Sequence, residues 1–596
     1  MRVAMSLATG WVTTFIVLVA SAFSFHRAKA ALQSSARGSA MALVALALFL
    51  PLSLSTDVHT AQPQLATVDP NQPIGRARGL FPGRVVWVHD SLATNRNCNP
   101  AEYGHGWFLS ENSDQARIDT MISEGLRAIT GTERDSAAWG SLFRSFNKNR
   151  GKGEVGYAAG ERIFIKVNAT SSWSGNINPS DFSKVQNEYY GISETSPQVV
   201  LSVLRQLVDT AGVPQNAISI ADPMRHIYKH CYDLWGPEFP NVHYLDHDGW
   251  NGREMPVPSP TAVIHFSDQG KSLHSSGGIP VLQDNLYSVF EDATYVLNIP
   301  MLKGHTYAGM TAFAKNHFGS QTQSDASHLH NGLVAPPDDP VRTGYGLYRV
   351  QVDLMGHHLL SGKNLVYIMD ALWATDRELD DPVKWDIPPF NGNWMSSIFI
   401  SLDPVAIESV GYDFLRAEFT EARGLATFVQ MDGVDDYLHQ AADSTQWPAG
   451  IVYDPDGAGH PIASLGVHEH WNNMLDKKYS RNLGTGNGIE LFPIPSSGTT
   501  GVGNQAPIVR IFRLDPNIPN PFNPSTVITY EIGVAGHISL RIFDVQGREV
   551  ATLVDQTQQA GSYRFTFAGE RLASGVYFYR LASGVSVETR KMLLLK

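Results

Sequence analysis

The sequence predicts an α/β domain with a largely parallel sheet flanked by helices, followed by a small all-β sandwich. Three observations carry that prediction. Between Gly83 and Pro495, short apolar runs rich in β-branched residues alternate with Gly-containing or polar turns and helical stretches, the pattern of strands interleaved with helices. Several of these runs are apolar throughout, as strands covered on both faces must be. After Pro507 the segments alternate apolar with polar residues between short Gly turns, the pattern of a sandwich.

The elements follow in order. Arg84 to His89 (RVVWVH) reads as the first strand, and Gln115 to Ile129 sets Ile118, Met121, Ile122, Leu126 and Ile129 at helical spacing. Arg162 to Val167 is the next strand. Ser196-Pro197 opens a helix with an apolar stripe of Val199, Val200, Val203, Leu204, Leu207 and Val208, which stops near Ala211-Gly212. Further strands are predicted at Ala217 to Ala221, Val242 to Leu245, Ala293 to Ile299, Leu365 to Met369 and Ser397 to Ser401. Pro495 to Pro507 has the composition of a linker. Beyond it, Ser525 to Ile532, Ile538 to Phe543, Tyr563 to Phe567 and Gly575 to Leu581 form the sandwich strands, separated by turns such as Gln546-Gly547 and Ser574-Gly575.

The chain of 596 residues exceeds what one core supports. With 43% hydrophobic and 17% charged residues it is globular throughout. A net charge of -12 argues against nucleic acid, whose phosphates call for an excess of Lys and Arg. The two cysteines, Cys98 and Cys231, are too few for a thiolate-held zinc or iron-sulfur cluster built by this chain alone; a disulfide and two separate thiols both stay open. Two apolar runs, Trp11 to Phe25 and Met41 to Leu54, each fall short of the roughly 20 residues that cross a bilayer. The second, preceded by basic and followed by small residues, has the anatomy of a secretory signal; the alternative is a retained membrane hairpin. The resulting division is 1–60 signal or targeting segment, 61–82 linker, 83–495 α/β domain, 496–516 linker and 517–596 sandwich.

Two resemblances sharpen this. Asn517-Ile518-Pro519-Asn520-Pro521-Phe522-Asn523-Pro524, Arg548-Glu549-Val550, Leu572-Ala573-Ser574-Gly575-Val576-Tyr577 and Lys591-Met592 resemble the C-terminal sorting domain of type IX secretion cargo, itself similar to the Ig-like domain of the flagellar hook-capping protein. That resemblance implies an Ig-like sandwich, export through the type IX machinery by way of the periplasm, and an address at the outer membrane surface or in the medium. Lys166-Val167-Asn168, the stretch Asn298 to His305, Thr311, Lys315 to Gly319 and Ser401 to Ala406 resemble the family called domain of unknown function 362. Some members carry ferredoxin-like cysteine clusters, which implies redox chemistry for them; this chain lacks those cysteines.

Ligands of open α/β sheets bind beyond the carboxyl ends of the strands, where loops and helix N-termini converge. The polar residues there are Lys166, Asn168, Asp222, Lys303, His305, Asp370 and Asp403, with Lys315, Asn316 and His317 a short loop further on. Lys166, Asn168, Lys315 and Asn316 are candidates to hold an anionic small molecule. Lys303, His305 and His317 are candidate catalytic groups. Asp222, Asp370 and Asp403 suit a hard divalent metal, or else cap helices, with Asp403-Pro404 opening one. The pairs His328 and His330, His357 and His358, and His468 and His470 have spacings that suit zinc or copper, although such pairs are mostly surface residues. Asp454-Pro455-Asp456-Gly457 opens like a calcium loop but lacks the carboxylates that complete one, and reads as a turn. Two functions follow: an exported enzyme or cofactor-binding protein using this rim, or a non-catalytic surface binding protein on the same scaffold.

Overall fold

The computed structural model describes residues 70–596 except 276, 335–341, 343, 421–430, 496–511, 516, 533–535, 559–560 and 584–585. Both N-terminal apolar runs therefore lie outside the described residues. Among the described residues no helix is long and apolar enough to cross a membrane.

The elements used below are β1 (Arg84–His89), α1 (Gln115–Thr130), α2 (Asp135–Asn149), β2 (Ile163–Val167), α3 (Pro197–Arg205), β3 (Ile218–Ala221), β4 (His243–Tyr244), β5 (Tyr295–Ile299), β6 (Met301–His305), β7 (Gly309–Thr311), α4 (Phe313–Asn316), β8 (Tyr367–Thr375), β9 (Ser397–Ser401), α5 (Pro404–Glu418), α6 (Met431–Ala442) and β10 (Glu490–Pro495). A four-stranded sheet of order β4-β3-β2-β5 is parallel throughout. A six-stranded sheet of order β7-β6-β8-β9-β1-β10 is mixed: β6 with β8 and β1 with β10 run parallel, and the other pairs antiparallel. The expectation of a largely parallel sheet thus holds for the first sheet and is corrected for the second, where β9 runs against both of its neighbours. One uninterrupted run, Tyr295 to His305, serves both sheets, crossing from one to the other at Pro300, whose carbonyl accepts from Asp370 N at 3.0 Å.

Burial explains the continuously apolar strands. Val85 and Trp87 of β1 belong to one core, while Val86 and Val88 belong to another on the opposite face. Phe164 and Ile165 of β2, and Phe399 and Ile398 of β9, divide in the same way. Helices α1, α2 and α3 cover one face through residues such as Met121, Leu142 and Val203; α5 and α6 cover the other through Ile407, Phe414 and Leu438. Strand β10 escapes sequence reading because it holds Pro493 and Pro495. It can hold them because it is an edge strand paired only with β1.

The C-terminal strands form a three-stranded sheet, Phe512–Leu514, Ser525–Ile532 and Gly561–Ala568, and a four-stranded sheet, Gly536–Phe543, Glu549–Gln558, Gly575–Ser583 and Ser586–Leu594. All ladders are antiparallel, and Ile528 and Tyr530 of one sheet share a core with Leu540, Tyr579 and Met592 of the other. Both cysteines are free thiols. Gly457 N donates to Asp454 O at 3.0 Å, so that segment is a turn.

Asp403 closes the N-terminus of α5. Its carboxylate accepts from the backbone N–H of Arg78, Val405, Ala406 and Val467 at 2.8 to 3.4 Å, and the group is fully buried. Gly466 lies so close that an added Cβ would stand 1.9 Å from Asp403 Oδ1. Asp403→Ala removes the acceptor of four backbone donors, three of them buried, so a loss of about 2 kcal/mol is expected in urea denaturation, with Asp403→Asn losing less and Gly466→Ala also destabilising.

Candidate functional site

Three lysines stand around the candidate site, Lys166 near the carboxyl end of β2, Lys303 within β6 and Lys315 in α4, and each ammonium has three hydrogens to place. Lys166 Nζ, fully buried, donates to Val167 O at 2.7 Å and Asn316 Oδ1 at 3.3 Å and forms an ion pair with Asp222 Oδ1 at 3.0 Å. Lys303 Nζ spends its donors on Ser193 O at 2.5 Å, Glu378 O at 3.0 Å and Thr170 Oγ1 at 3.1 Å. Lys315 differs. Among the described residues its Nζ has no hydrogen-bond or ion-pair partner; it sits 3.8 Å from the centre of the Phe318 ring.

Lys315 opens onto a cavity of about 270 Å³ that is also lined by Asn168, Trp173, Asp222, Arg225, His305, Tyr307, Asn316, Glu378 and His330. Removal from water, opposed by Glu378 and reinforced by the charges of Lys303 and Arg225, brings its pKa down to about 7. Arg225 directs Nη1 to Met224 O at 3.3 Å and Asp325 Oδ1 at 3.5 Å, the latter pair being exposed and weak. Asn168 is pinned by its backbone N–H to Thr195 Oγ1 at 2.8 Å, and its side-chain Oδ1 accepts from Thr170 at 3.0 Å.

The two cavity imidazoles have opposite polarity. His305 Nδ1 accepts from the N–H of Tyr307 at 3.1 Å and Ala308 at 3.3 Å, so its ring proton is on Nε2 and it can only donate to a ligand. His330 Nδ1 donates to Ala326 O at 3.2 Å, which leaves Nε2 as an acceptor. Burial and the neighbouring Lys315 hold both rings neutral, well below the usual imidazole range.

The structure therefore brings Asn168, Asp222, His305, Lys315 and Asn316 to one cavity, with Lys166 and Lys303 bound into its wall. Gly319 completes that wall: a Cβ there would stand 2.0 Å from Asp222 Oδ1. Three residues lie apart from it. His317 is fully buried, accepting from Asn298 Nδ2 at 3.0 Å and meeting Ser320 Oγ at 3.1 Å. Asp370 accepts from Ser196 N at 2.6 Å and Leu372 N at 3.0 Å, at the mouth of α3. Asp403 caps α5, as above. The three aspartates share no partner. Sequence reading missed Arg225 and Glu378, and singled out His330 only as a partner of His328 for a metal; Arg225 lies three residues beyond Asp222, so continuing along that loop would have reached it.

Of the histidine pairs, His328 and His330 separate, while His357 stays beside His358 and His468 beside His470. His328 is buried 3.4 Å from Asp284 Oδ2 while His330 faces the cavity. Elsewhere two groups bring donor atoms within 4.8 Å of one another: His357, His358 and Asp456; and Asp435, His439 and His468. A second cavity of about 210 Å³, lined by Arg162, Asn216 and His243, opens at the opposite, amino-terminal ends of the parallel strands.

Comparison with known proteins identifies the class from its C-terminal module. Residues 518–595 match the Secretion system C-terminal sorting domain, which makes this an exported protein of the cell surface or medium, handled by the type IX machinery. Residues 185–413 match the Domain of unknown function (DUF362). Among solved structures, PorZ, a surface component of the type IX secretion system of Porphyromonas gingivalis, aligns at 21% identity over 14% of this chain and 11% of its own, with a TM-score of 0.11. Dimeric latent PorU from the same organism aligns at 19% identity over 16% and 10%, with a TM-score of 0.13. The chain thus spans about a tenth of either structure, and overlaps this short fix neither fold nor activity. No curated protein matches the chain.

The donor accounting separates structural from free lysines. Lys166→Met strands Asp222 in the interior, and an unfolding free energy about 3 kcal/mol lower is expected in urea titration. Lys315→Met removes a desolvated charge with no hydrogen-bond partner among the described residues, so the unfolding free energy is expected to be unchanged or higher, never lower.

Proposed function

We propose that residues 83–495 bind a small anionic ligand, a phosphate or carboxylate, in the cavity at the carboxyl ends of the parallel strands, and that residues 517–596 deliver this binding domain through the periplasm to the cell surface. The observation that carries the reading is Lys315: a cation facing a cavity with none of its donors spent on the described residues. Arg225 adds a second cation, and Asn168 and His305 supply neutral donors. Asp222 is neutralised by Lys166. Lys315 is opposed only through space, chiefly by Glu378, and Arg225 only by the exposed Asp325 at 3.5 Å, so both cations keep capacity for an anion in the cavity. His330 Nε2 gives the same cavity a proton acceptor, which favours a reaction on the bound anion as the second reading.

Calorimetric titration of the purified full-length chain with inorganic phosphate and with succinate tests the reading. Loss of a charge-assisted contact is worth about 1.5–3 kcal/mol, so Lys315→Ala should weaken the better ligand at least about tenfold, and Arg225→Ala should weaken it as well. Affinity should be highest where Lys315 is charged and should fall as the pH rises through about 7. Binding that is the same in Lys315→Ala, or absent from the parent chain for both anions, overturns the assignment.

Deletion of residues 517–596 should leave the protein in the periplasm, as followed by cell fractionation and immunoblotting. Surface display without those residues would remove the sorting role.

A further inference from the structure

Beneath α5 and α6, away from the cavity and sharing no residue with it, a cluster of imidazoles and carboxylates remains without a role. Asp435 and His439 are one turn apart on α6, and His468 lies in the two-residue strand Val467–His468. Their donor atoms lie within 4.8 Å of one another. His468 and His470, the pair singled out in the sequence, have ring centres 4.7 Å apart, and those of His468 and His439 are also 4.7 Å apart.

The outer contacts set the polarity of each ring. His439 Nδ1 donates to Asp435 O at 2.7 Å, leaving Nε2 with its lone pair. Ser409 Oγ lies 2.7 Å from Val405 O and 2.8 Å from His468 Nδ1, so with its hydrogen on Val405 O it accepts from the imidazole. His468 Nε2 is within hydrogen-bond reach of Asp435 Oδ1 at 3.0 Å, and in the tautomer with its proton on Nδ1 it turns a lone pair towards that carboxylate. A cation between the two satisfies both. The remaining Asp435 oxygen accepts from Tyr345 Oη at 2.6 Å, and His470, tied to Asp413 Oδ1 at 2.7 Å, reaches Asp435 Oδ1 at 2.9 Å. Metal-binding imidazoles characteristically have their second nitrogen hydrogen-bonded to an oxygen, as His439 and His468 do.

We propose that Asp435, His439 and His468 bind a zinc-type divalent cation, with Ser409, Tyr345 and the His470–Asp413 pair as positioning residues. Two nitrogens and a carboxylate oxygen form a donor set of borderline softness that suits zinc. Donors about 2.0–2.2 Å from a tetrahedral zinc stand about 3.3 Å apart, so the 3.0 Å between His468 and Asp435 is already near the bound geometry, and the 4.8 Å limit on the group leaves a small closure. Three protein ligands leave the fourth position to water or a substrate group. The site is reached from the edge where the His439 side chain is 22% exposed.

The test uses the full-length chain stripped with a chelator and titrated with zinc against a chromophoric competitor, with cobalt(II) as a spectroscopic probe. One zinc per chain is expected, together with the intense visible cobalt bands of a tetrahedral site. His439→Ala, at a partly exposed position, should weaken zinc binding more than about tenfold while thermal unfolding reports an intact fold. Ser409→Ala, which removes the outer partner of His468 together with a hydrogen bond to Val405 O within α5, should weaken it about tenfold to a hundredfold. Asp456→Ala, in the separate His357–His358 group, should leave it unchanged. Failure of the parent chain to bind zinc, an octahedral cobalt spectrum, or binding lost in Asp456→Ala but kept in His439→Ala overturns the proposal.

Discussion

The buried pair between Lys166 and Asp222 ties together the loops that shape the candidate site. It joins the end of β2 to the loop after β3 at 3.0 Å, with the two side chains 0% and 7% exposed. Charges so buried are tolerable only when their remaining hydrogen-bonding capacity is met. Here the loops themselves supply partners: Asp222 Oδ2 accepts from Ala169 N at 3.1 Å, and Lys166 donates to Val167 O and Asn316 Oδ1, while Asp222 Oδ1 has the ammonium as its counter-charge. Asn316 in turn donates to Asn298 Oδ1 at 2.7 Å, and Asn298 donates to Phe313 O at 2.9 Å. The segments around 168, 222, 298 and 316 are therefore held by one network, and Gly319 is glycine because that network passes directly beside it.

This arrangement depends on the run from Tyr295 to His305. Asn298 sits in the parallel sheet beside Lys166, as their register shows, while Lys303 and His305 sit in the mixed sheet. Crossing at Pro300 places both groups within eight residues, and the third lysine follows after β7. Proline suits the crossing because it has no N–H to leave unpaired, whereas its carbonyl is taken up by Asp370.

Much of this was legible in the sequence. The apolar runs of β1, β2, β5 and β9 announced strands buried on both faces, and the carboxyl-end rule selected Asn168, Asp222, His305, Lys315 and Asn316, which line one cavity. The differences among Lys166, Lys303 and Lys315 were not legible. Nothing local distinguishes them, because Lys303 is spent on Thr170, Ser193 and Glu378, residues 75 to 133 positions away. Polarity of the imidazoles is likewise a property of backbone geometry: His305 accepts from its own turn and His330 donates to its own helix. Strand β10 was hidden because proline counts against a strand until its edge position is known, and the mixed order of the second sheet is set by pairings that periodicity does not encode.

Lys315 bears on why the cavity reads as a binding site and not as imperfect packing. A leucine or methionine there would bury against Phe318 without a charge to desolvate, yet the position holds an amine whose pKa has been driven down to about 7. A lysine with a lowered folded-state pKa destabilises the protein most where the group is charged in both states, below about pH 7, and that cost is relieved as the pH climbs towards the ordinary lysine range. Lys166 and Lys303 show that neighbouring lysines are matched with acceptors wherever the protein's own structure is at stake. The unmatched one faces open space beside Arg225. A bound anion would supply the missing acceptors and remove the destabilisation under the conditions where it is greatest, so the same group that weakens the empty protein would hold its ligand.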